Sequence, residues 1–324
     1  MKRLKILYLG NFTNPVAEYI SKTFEQLGHE ITRRNEDNTS VEDVIRIIEN
    51  TKYDFVLTEE ARLKGDYHYG EIKNNELDRC DGGFKRVMDK ILVVPWLTNV
   101  IWAIERRKHL VVENPIFHSP VVFSTDGGRD AEWKSAGVNH VCVRQGVFQD
   151  HAFLGGRFLT RARVGFVGEN NQRFWSYRQE LLSFLQNTYG SDFEWVGPGS
   201  SWGFCYGKDL NNFLATVKVV VGDSVMSDYY WSNRVYEMIG RGGFLIMPDI
   251  KGLDEEFIPY KHYVPYEFGN LTDLKHKIRY YLKHKSERED IRQQGFEYCK
   301  ANHTYTKRVE QIIGILKKGR LINL

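Results

Sequence analysis

Residues able to bind a phosphorylated ligand are concentrated in the run Ser232-Asn233-Arg234-Val235-Tyr236-Glu237, which a glycine turn at 240–243 follows. The pattern predicts a polar loop, a short helix, the turn and a buried strand. Backbone N–H groups at the start of such a helix suit phosphate oxygens, and Arg234 adds a cation there. Glu237 lies one turn further on and can accept hydrogen bonds from sugar hydroxyls. The run therefore indicates a nucleotide-sugar site; the alternative is a capped helix whose Arg and Glu are solvated.

The surrounding sequence alternates strand patterns with helical patterns, which predicts parallel α/β architecture. In the first half we expect strands at 5–9, 30–33, 54–58, 91–95, 121–124 and 138–143, with helices at 15–27 and 41–50. A second alternation has strands at 163–167, 193–196 and 217–223, and helices at 177–186, 210–216, 271–284 and 304–318.

Two domains are expected, an N-terminal acceptor-side domain over residues 1–155 and a C-terminal nucleotide-sugar-binding domain over 156–324. The last helix is a candidate for packing back on the first domain. The predicted fold class is α/β, with two Rossmann-like, doubly wound domains facing each other across a cleft. Ligands of such domains bind at the carboxyl ends of the strands.

Composition excludes several classes of protein. The chain has 324 residues, 42% hydrophobic and 27% charged, and a net charge of +3, values typical of a globular protein rather than a strongly basic nucleic-acid binder. The four cysteines are scattered without metal-ligand spacing, so we expect reduced thiols and no bound metal. No signal peptide or membrane-spanning run is evident, and a cytoplasmic location is expected.

Several further segments carry a family resemblance. With the run at 232–243 they are Leu253-Asp254-Glu255-Glu256-Phe257, the helical pattern at 271–284, Glu287-Arg288-Glu289, Gly295 and His303-Thr304-Tyr305-Thr306-Lys307-Arg308. Together they resemble the glycosyltransferase group 1 domain of spore-maturation CgeB-like proteins. The likeness is strong over residues 160–310 and limited to strand order over 1–150. It implies the two-domain GT-B fold and a glycosyltransferase, transferring a hexose or pentose from a nucleotide-sugar such as a UDP-sugar, without a cofactor or catalytic metal.

The resemblance also implies residue roles in the second half. Ser232 and Asn233 would contact the donor diphosphate, Arg234 would neutralise it or brace the loop, and Glu237 would bind the ribose hydroxyls. Related enzymes carry a second glutamate eight residues earlier, where this chain has Tyr229 beside Asp228. Both residues are donor-binding candidates, and Asp228 replaces the glutamate only if the loop shifts register.

Three loops at strand ends complete the expected site. After the strand at 163–167, Gly168 leads to Arg173, a candidate catalytic cation, and to the donor-binding candidate Arg178. In the first domain, the donor-binding candidates Gly10 and Asn11 would line the cleft opposite the donor phosphates. Asp126 stands where related enzymes have the aspartate of a His-Asp pair, with Thr125 replacing the histidine. It is a candidate base or sugar contact, or a turn residue.

The acceptor is left open by the sequence. A polysaccharide or protein hydroxyl is the first interpretation. The alternative is a viral-type enzyme acting on hydroxymethylated DNA, which the basic run Arg106-Arg107-Lys108-His109 with Arg157, Arg161 and Arg163 favours. A catalytically silent nucleotide-sugar-binding protein is a further alternative, because Tyr229 and Thr125 depart from the family pattern.

Overall fold

A computed structural model describes residues 3–13, 15–59, 83–98, 101–103, 108–156, 160–170, 176–203 and 205–322. The chain divides into two compact units. The first unit comprises residues 1–144 together with 305–324, and the second comprises 145–304.

The first unit is built on a six-stranded parallel sheet. Its strands are β1 (Lys5–Gly10), β2 (Glu30–Asn35), β3 (Phe55–Thr58), β4 (Val93–Leu97), β5 (Val122–Ser124) and β6 (His140–Cys142), in the order β2-β1-β3-β4-β5-β6. Strands β3, β4 and β5 are buried along their whole length, as expected for parallel strands covered on both faces.

Within the described ranges, six α-helices belong to the first unit. They are α1 (Pro15–Gln26), α2 (Val41–Asn50), α3 (Gly83–Met88), α4 (Leu110–Glu113), α5 (Asp130–Ser135) and α12 (Tyr305–Lys318). Helix α2 begins with a capping box, in which Ser40 and Asp43 satisfy each other's backbone N–H groups. Helix α12 packs against α1. At its start the buried ring of Tyr305 lies 6.1 Å from the ring of Trp96.

The second unit has a five-stranded parallel sheet. Its strands are β7 (Val164–Val167), β8 (Phe193–Val196), β9 (Val219–Val221), β10 (Leu245–Pro248) and β11 (Val264–Tyr266), in the order β11-β10-β9-β7-β8. Its helices are α6 (Ser176–Tyr189), α7 (Gly207–Thr216), α8 (Arg234–Gly240), α9 (Leu253–Glu256), α10 (Leu271–Lys283) and α11 (Lys285–Asn302). The prediction of two doubly wound, parallel α/β domains is confirmed.

Each sheet changes winding direction once. In the first sheet the change lies between β1 and β3, and in the second between β7 and β9. Loops that leave neighbouring strands on opposite sides open a crevice at such a point, which is where doubly wound domains hold ligands. The loops that matter most therefore follow Gly10, Thr58, Val167 and Val221.

Candidate donor site

The centre of the candidate site is Asp223, which follows β9 at the switch point of the second sheet. Its Oδ2 accepts a hydrogen bond from Nε of Arg178 at 2.7 Å, and its Oδ1 accepts one from Nη1 of Arg234. Both Arg178 and Asp223 have side chains only 2% exposed, whereas the side chain of Arg234 is 17% exposed. One carboxylate thus holds two guanidinium groups, and Arg234 is the more exposed of the two.

The charges of this cluster act on one another. Burial alone would raise the pKa of Asp223, yet Arg234 and Arg178 hold it below its usual value. Burial and the neighbouring Arg234 lower the pKa of Arg178 to about 10, which leaves it cationic at neutral pH. The two arginines and the one aspartate together consequently carry one net positive charge. The exposed Glu169 lies beside it, and its carbonyl oxygen accepts a hydrogen bond from Arg178 Nη1 at 2.6 Å.

Gly168 lets the loop after β7 pass close to this cluster. Its φ is +150°, and a Cβ there would lie 3.1 Å from Nη1 of Arg234. The carbonyl oxygen of Gly168 accepts a hydrogen bond from Nε1 of Trp195 at 2.6 Å, and a Cβ on Gly197 would lie 2.2 Å from that same oxygen. The loop is therefore held between Arg234 and the end of β8.

Buried polar atoms without a protein partner collect at the same edge of the sheet. Asn170 follows β7, Ser224 follows β9, and Ser232 and Asn233 precede α8. Within the described ranges no hydrogen-bond partner is found for Asn170 Oδ1, Ser224 Oγ, Ser232 Oγ or Asn233 Oδ1. Buried polar groups in folded proteins are nearly always hydrogen-bonded, so atoms of this kind mark a place for a ligand or water.

Glu237 lies on the first turn of α8, which begins at Arg234, as the sequence predicts. Its Oε2 accepts a hydrogen bond from Nε of Arg241 at 2.5 Å. Its Oε1 is buried and has no partner among the residues that the structure describes. Glu237 thus offers one carboxylate oxygen to a ligand while the other is held by the protein.

Asp228 and Tyr229 occupy a different environment. Asp228 forms an exposed ion pair with Lys251, with Oδ2 and Nζ 3.0 Å apart. Tyr229 has a φ of +57°, and its ring lies where a Cβ on Gly252 would be, 2.3 Å from Tyr229 Cδ1. The structure brings Gly168, Arg178 and Arg234 together around Asp223, and it engages Asp228 and Tyr229 with the segment at 251–252 instead.

In the first unit, Gly10 is the last residue of β1 and Asn11 follows it, at the switch point of that sheet. A Cβ on Gly10 would lie 3.0 Å from Cζ of Tyr8 and 3.2 Å from Oε2 of Glu59. Oδ1 of Asn11 accepts a hydrogen bond from the backbone N–H of Thr13 at 3.1 Å, closing a local turn. Burial raises the pKa of Glu59 to about 7, so this carboxyl titrates near neutral pH.

Asp126 follows β5 and is buried. Its Oδ2 accepts hydrogen bonds from the backbone N–H groups of Ile101 at 2.8 Å and Trp102 at 3.4 Å. Burial raises the pKa of Asp126 to about 6 in spite of these bonds. The side chain therefore holds the 101–102 segment, and its carboxyl has a pKa in the range of a general base.

Some expected site residues fall outside the described ranges, namely Arg173, Arg106, Arg107 and Arg157. Among the described residues, sequence reasoning missed Asp223 and Arg241, which fix the candidate site of the second unit, and Glu59, which lies beside Gly10 in the first unit. Asp223 and Glu59 each follow a buried strand next to a switch point, and that position was the signal available in the sequence. Arg241 follows Glu237 by four residues, the spacing at which helical side chains meet.

Two features are absent from the described part of the chain. No helix there is both long and apolar enough to cross a membrane. No group of three or more His, Cys, Asp or Glu side chains is placed to hold a metal ion, again within those ranges.

Part of the chain matches a family of known proteins. Residues 176–314 match the family described as glycosyl transferase-like. They include α6 to α11 and the whole run at 232–243. A search of curated proteins finds no match.

Solved structures resemble the whole chain in fold. Sucrose-phosphate synthase from Thermosynechococcus elongatus has a TM-score of 0.70 at 10% identity, covering 98% of this chain and 99% of its own. HepE from Anabaena, in complex with UDP and glucose, has a TM-score of 0.68 at 11% identity. The likeness covers 98% of this chain and 100% of HepE. An alpha-glucosyltransferase in complex with UDP-glucose and abasic-site DNA has a TM-score of 0.66 at 9% identity, covering 98% and 100%.

The predicted fold class is confirmed, since these structures are glycosyltransferases of the GT-B fold and the likeness spans the full chain. The family match over residues 176–314 and the fold both support the glycosyltransferase that the sequence predicts.

Proposed function

We propose that this protein transfers a sugar from a nucleoside diphosphate sugar, with a UDP-sugar as the first candidate, to an acceptor hydroxyl. The proposal rests on the arrangement of side chains at the carboxyl edge of the second sheet. There Asp223 holds Arg234 beside Gly168, and the buried, partnerless oxygens of Ser232, Asn233 and Glu237 belong to the same short segment. A cation next to hydrogen-bonding groups and a carboxylate oxygen suits a diphosphate attached to a ribose.

Each residue of the second unit has a proposed role. Arg234 contacts the diphosphate, Asp223 holds its guanidinium group in place, and Arg178 holds Asp223. The hydroxyl of Ser232 and the Nδ2 group of Asn233 donate hydrogen bonds to phosphate oxygens, and Oε1 of Glu237 accepts them from the ribose hydroxyls. When the bond to the sugar breaks, negative charge grows on the leaving diphosphate, and a fixed guanidinium group stabilises it. This supports a reaction that needs no metal ion for that purpose.

The remaining roles rest on the family resemblance. Arg173 is proposed as a second cation for the leaving group, and Gly10 and Asn11 as contacts of the donor phosphates. Asp126 is proposed to contact the sugar or, in an inverting reaction, to take the proton from the acceptor hydroxyl, which its raised pKa of about 6 supports. In a retaining reaction no protein base is required. We further propose membership of the CgeB-like group and a cytoplasmic location.

Donor binding and transfer test the proposal. A screen of sugar nucleotides by thermal unfolding identifies the donor, because a ligand that binds only the folded state raises the unfolding temperature. Transfer of labelled sugar is then measured for the wild type and for Glu237→Ala, and we expect the variant to lose most of its donor affinity. Failure of every sugar nucleotide to bind contradicts the proposal. Binding without turnover favours the catalytically silent alternative.

The acceptor is proposed to be a polysaccharide or protein hydroxyl, with hydroxymethylated DNA as the alternative. The DNA alternative is supported by the solved alpha-glucosyltransferase bound to DNA and by the basic residues near positions 106–109 and 161. Arg163 contributes less, because Asp192 pairs with it. Binding of duplex DNA that weakens steeply with salt, together with sugar transfer to it, decides for DNA. Transfer to a polysaccharide or protein without DNA binding decides for the first proposal.

A further inference from the structure

Arg241 is buried in the second unit, with 1% of its surface exposed, and its guanidinium group makes four hydrogen bonds. Nε donates to Oε2 of Glu237 at 2.5 Å. Nη1 donates to Oδ1 of Asn211 at 2.8 Å and to the carbonyl oxygen of Gly207 at 3.1 Å. Nη2 lies 2.8 Å from Nδ1 of His151. The carboxylate of Glu237 is therefore one of four acceptors that fix a single cation.

The chemistry of arginine fixes the protonation of His151. A guanidinium group has only N–H donors, so Nδ1 of His151 must accept and the ring must carry its proton on Nε2. His151 is thus a neutral acceptor in this arrangement. It orients Arg241 without adding a charge next to the ion pair between Arg241 and Glu237.

Asn211 ties the network to the backbone. Its Nδ2 donates to the carbonyl oxygens of His151 at 2.8 Å and Phe153 at 2.5 Å, while its Oδ1 faces Arg241. The reverse orientation of the amide would place N–H groups against the guanidinium donors, so only one orientation satisfies every group. His151, Asn211 and Arg241 therefore hold one another in a single arrangement.

Glu237 depends on this arrangement for its direction. Glu237 and Arg241 lie four residues apart, so their side chains meet on one face as the chain leaves α8. With Oε2 held by Arg241, the carboxylate cannot rotate freely, and Oε1 stays in its buried position without a protein partner within the described structure. A carboxylate fixed by one oxygen presents the other in a constant direction.

We infer that Arg241, held by His151 and Asn211, is a positioning residue that directs Oε1 of Glu237 at the ribose hydroxyls of the donor. This inference rests on the proposed function. It predicts that His151, which is assigned no contact with the ligand, controls the preference of the protein for ribose over deoxyribose. A residue that served only stability would change the affinity for both sugars alike.

The experiment compares His151→Leu with His151→Asn. Leucine removes the acceptor for Arg241, whereas the amide oxygen of asparagine can lie close to the position of Nδ1 and accept in its place. Dissociation constants for UDP, 2′-deoxy-UDP and 3′-deoxy-UDP are measured by calorimetry, and far-UV circular dichroism checks folding. His276→Leu, at an exposed histidine on α10, is the matched control.

In the wild type we expect UDP to bind about 10- to 100-fold more tightly than at least one deoxy form, the range for a hydrogen bond to a charged group. His151→Leu should lose most of this preference, and His151→Asn and His276→Leu should retain it. In a Glu237→Gln background, His151→Leu should have no further effect on UDP affinity, because the two changes act through one contact.

The outcomes separate the inference from the proposed function. A wild type that binds UDP and both deoxy forms equally contradicts the ribose role of Glu237 itself. A wild type that prefers ribose, with a preference that His151→Leu leaves unchanged, overturns the positioning role of Arg241 and leaves the proposed function standing. If His151→Leu does not fold, Arg241→Lys is measured in its place. A preference for UDP over the deoxy forms that is as large as in the wild type then overturns the inference.

Discussion

Nε of Arg178 donates a hydrogen bond to Oδ2 of Asp223 at 2.7 Å, and both side chains are almost completely buried. Because the other carboxylate oxygen contacts Arg234, this one aspartate determines where two cations lie. The positions of the cations at the candidate diphosphate site therefore depend on an acidic residue, although the ligand proposed there is an anion.

Asp223→Asn should destabilise the second unit strongly. The change leaves two guanidinium groups close together without their shared carboxylate, and breaking a buried ion pair typically costs about 3–5 kcal/mol. The free energy of unfolding is measured with urea. Asp228→Asn is the control, because its ion pair with Lys251 is exposed and should contribute less than about 1 kcal/mol. Equal effects of the two substitutions would contradict the structural role given to Asp223.

Arg234→Gln should weaken binding of a nucleoside diphosphate about 10- to 100-fold, since it removes a charged hydrogen-bond donor from the phosphates. Binding of the free nucleoside should change little. Calorimetric titration with UDP and uridine checks the difference. Arg279→Gln, at an exposed arginine on α10, is expected to leave both affinities unchanged. Similar losses for UDP and uridine in Arg234→Gln would place Arg234 away from the phosphates.

Gly197→Ala should disturb the loop after β7. The new Cβ would lie 2.2 Å from the carbonyl oxygen of Gly168, and a backbone atom cannot move aside without shifting that loop. We expect a loss of about 1–3 kcal/mol in the free energy of unfolding and weaker donor binding. Gly190→Ala is the control, because Gly190 also has a positive φ but nothing lies within 4 Å of its added Cβ. Only Gly197→Ala should weaken donor binding.

Stability should fall as pH rises from about 4.5 to 7 because of Glu59. Burial raises the pKa of this carboxyl from 4.5 to about 7. Over that range the unfolded chain releases the proton before the folded chain does, so the contribution of Glu59 is present at low pH and is lost near pH 7. The shift corresponds to about 3 kcal/mol.

Glu59→Gln isolates this effect, because the buried Asp126 contributes to the pH dependence of both the wild type and the variant. The difference in unfolding free energy between Glu59→Gln and the wild type should shift in favour of the variant as pH rises. Glu113→Gln, at an exposed glutamate of the same unit, should show no such trend. If the difference in unfolding free energy between Glu59→Gln and the wild type does not change with pH, the pKa of Glu59 is not raised.

Sequence periodicity predicted most of the fold. The range of α2 is reproduced in full, because a capping serine precedes a strongly amphipathic stretch. Helix α11 (Lys285–Asn302) was not assigned as a helix, since Arg288 and Gly295 lie on its buried face and weaken the apolar pattern. Gly295 is required there by packing, because a Cβ would lie 2.5 Å from the carbonyl oxygen of His262. Local patterns do not report such contacts between distant segments.

The candidate site was predicted only in part, because local sequence patterns do not report contacts between distant segments. The residues from Ser232 to Glu237 were found because they are adjacent in sequence and polar. His151 lies 90 residues from Arg241, and Arg178 lies 45 from Asp223. These pairs form only when the chain folds, and no spacing rule connects them.

The helix α12 belongs to the first unit although it follows the whole of the second unit in sequence. Its residue Tyr305 is fully buried and packs near Trp96 and Tyr19 of that unit. During synthesis the ribosome delivers residues 145–304 before it delivers this helix. The second unit is therefore complete before the first unit, which needs α12.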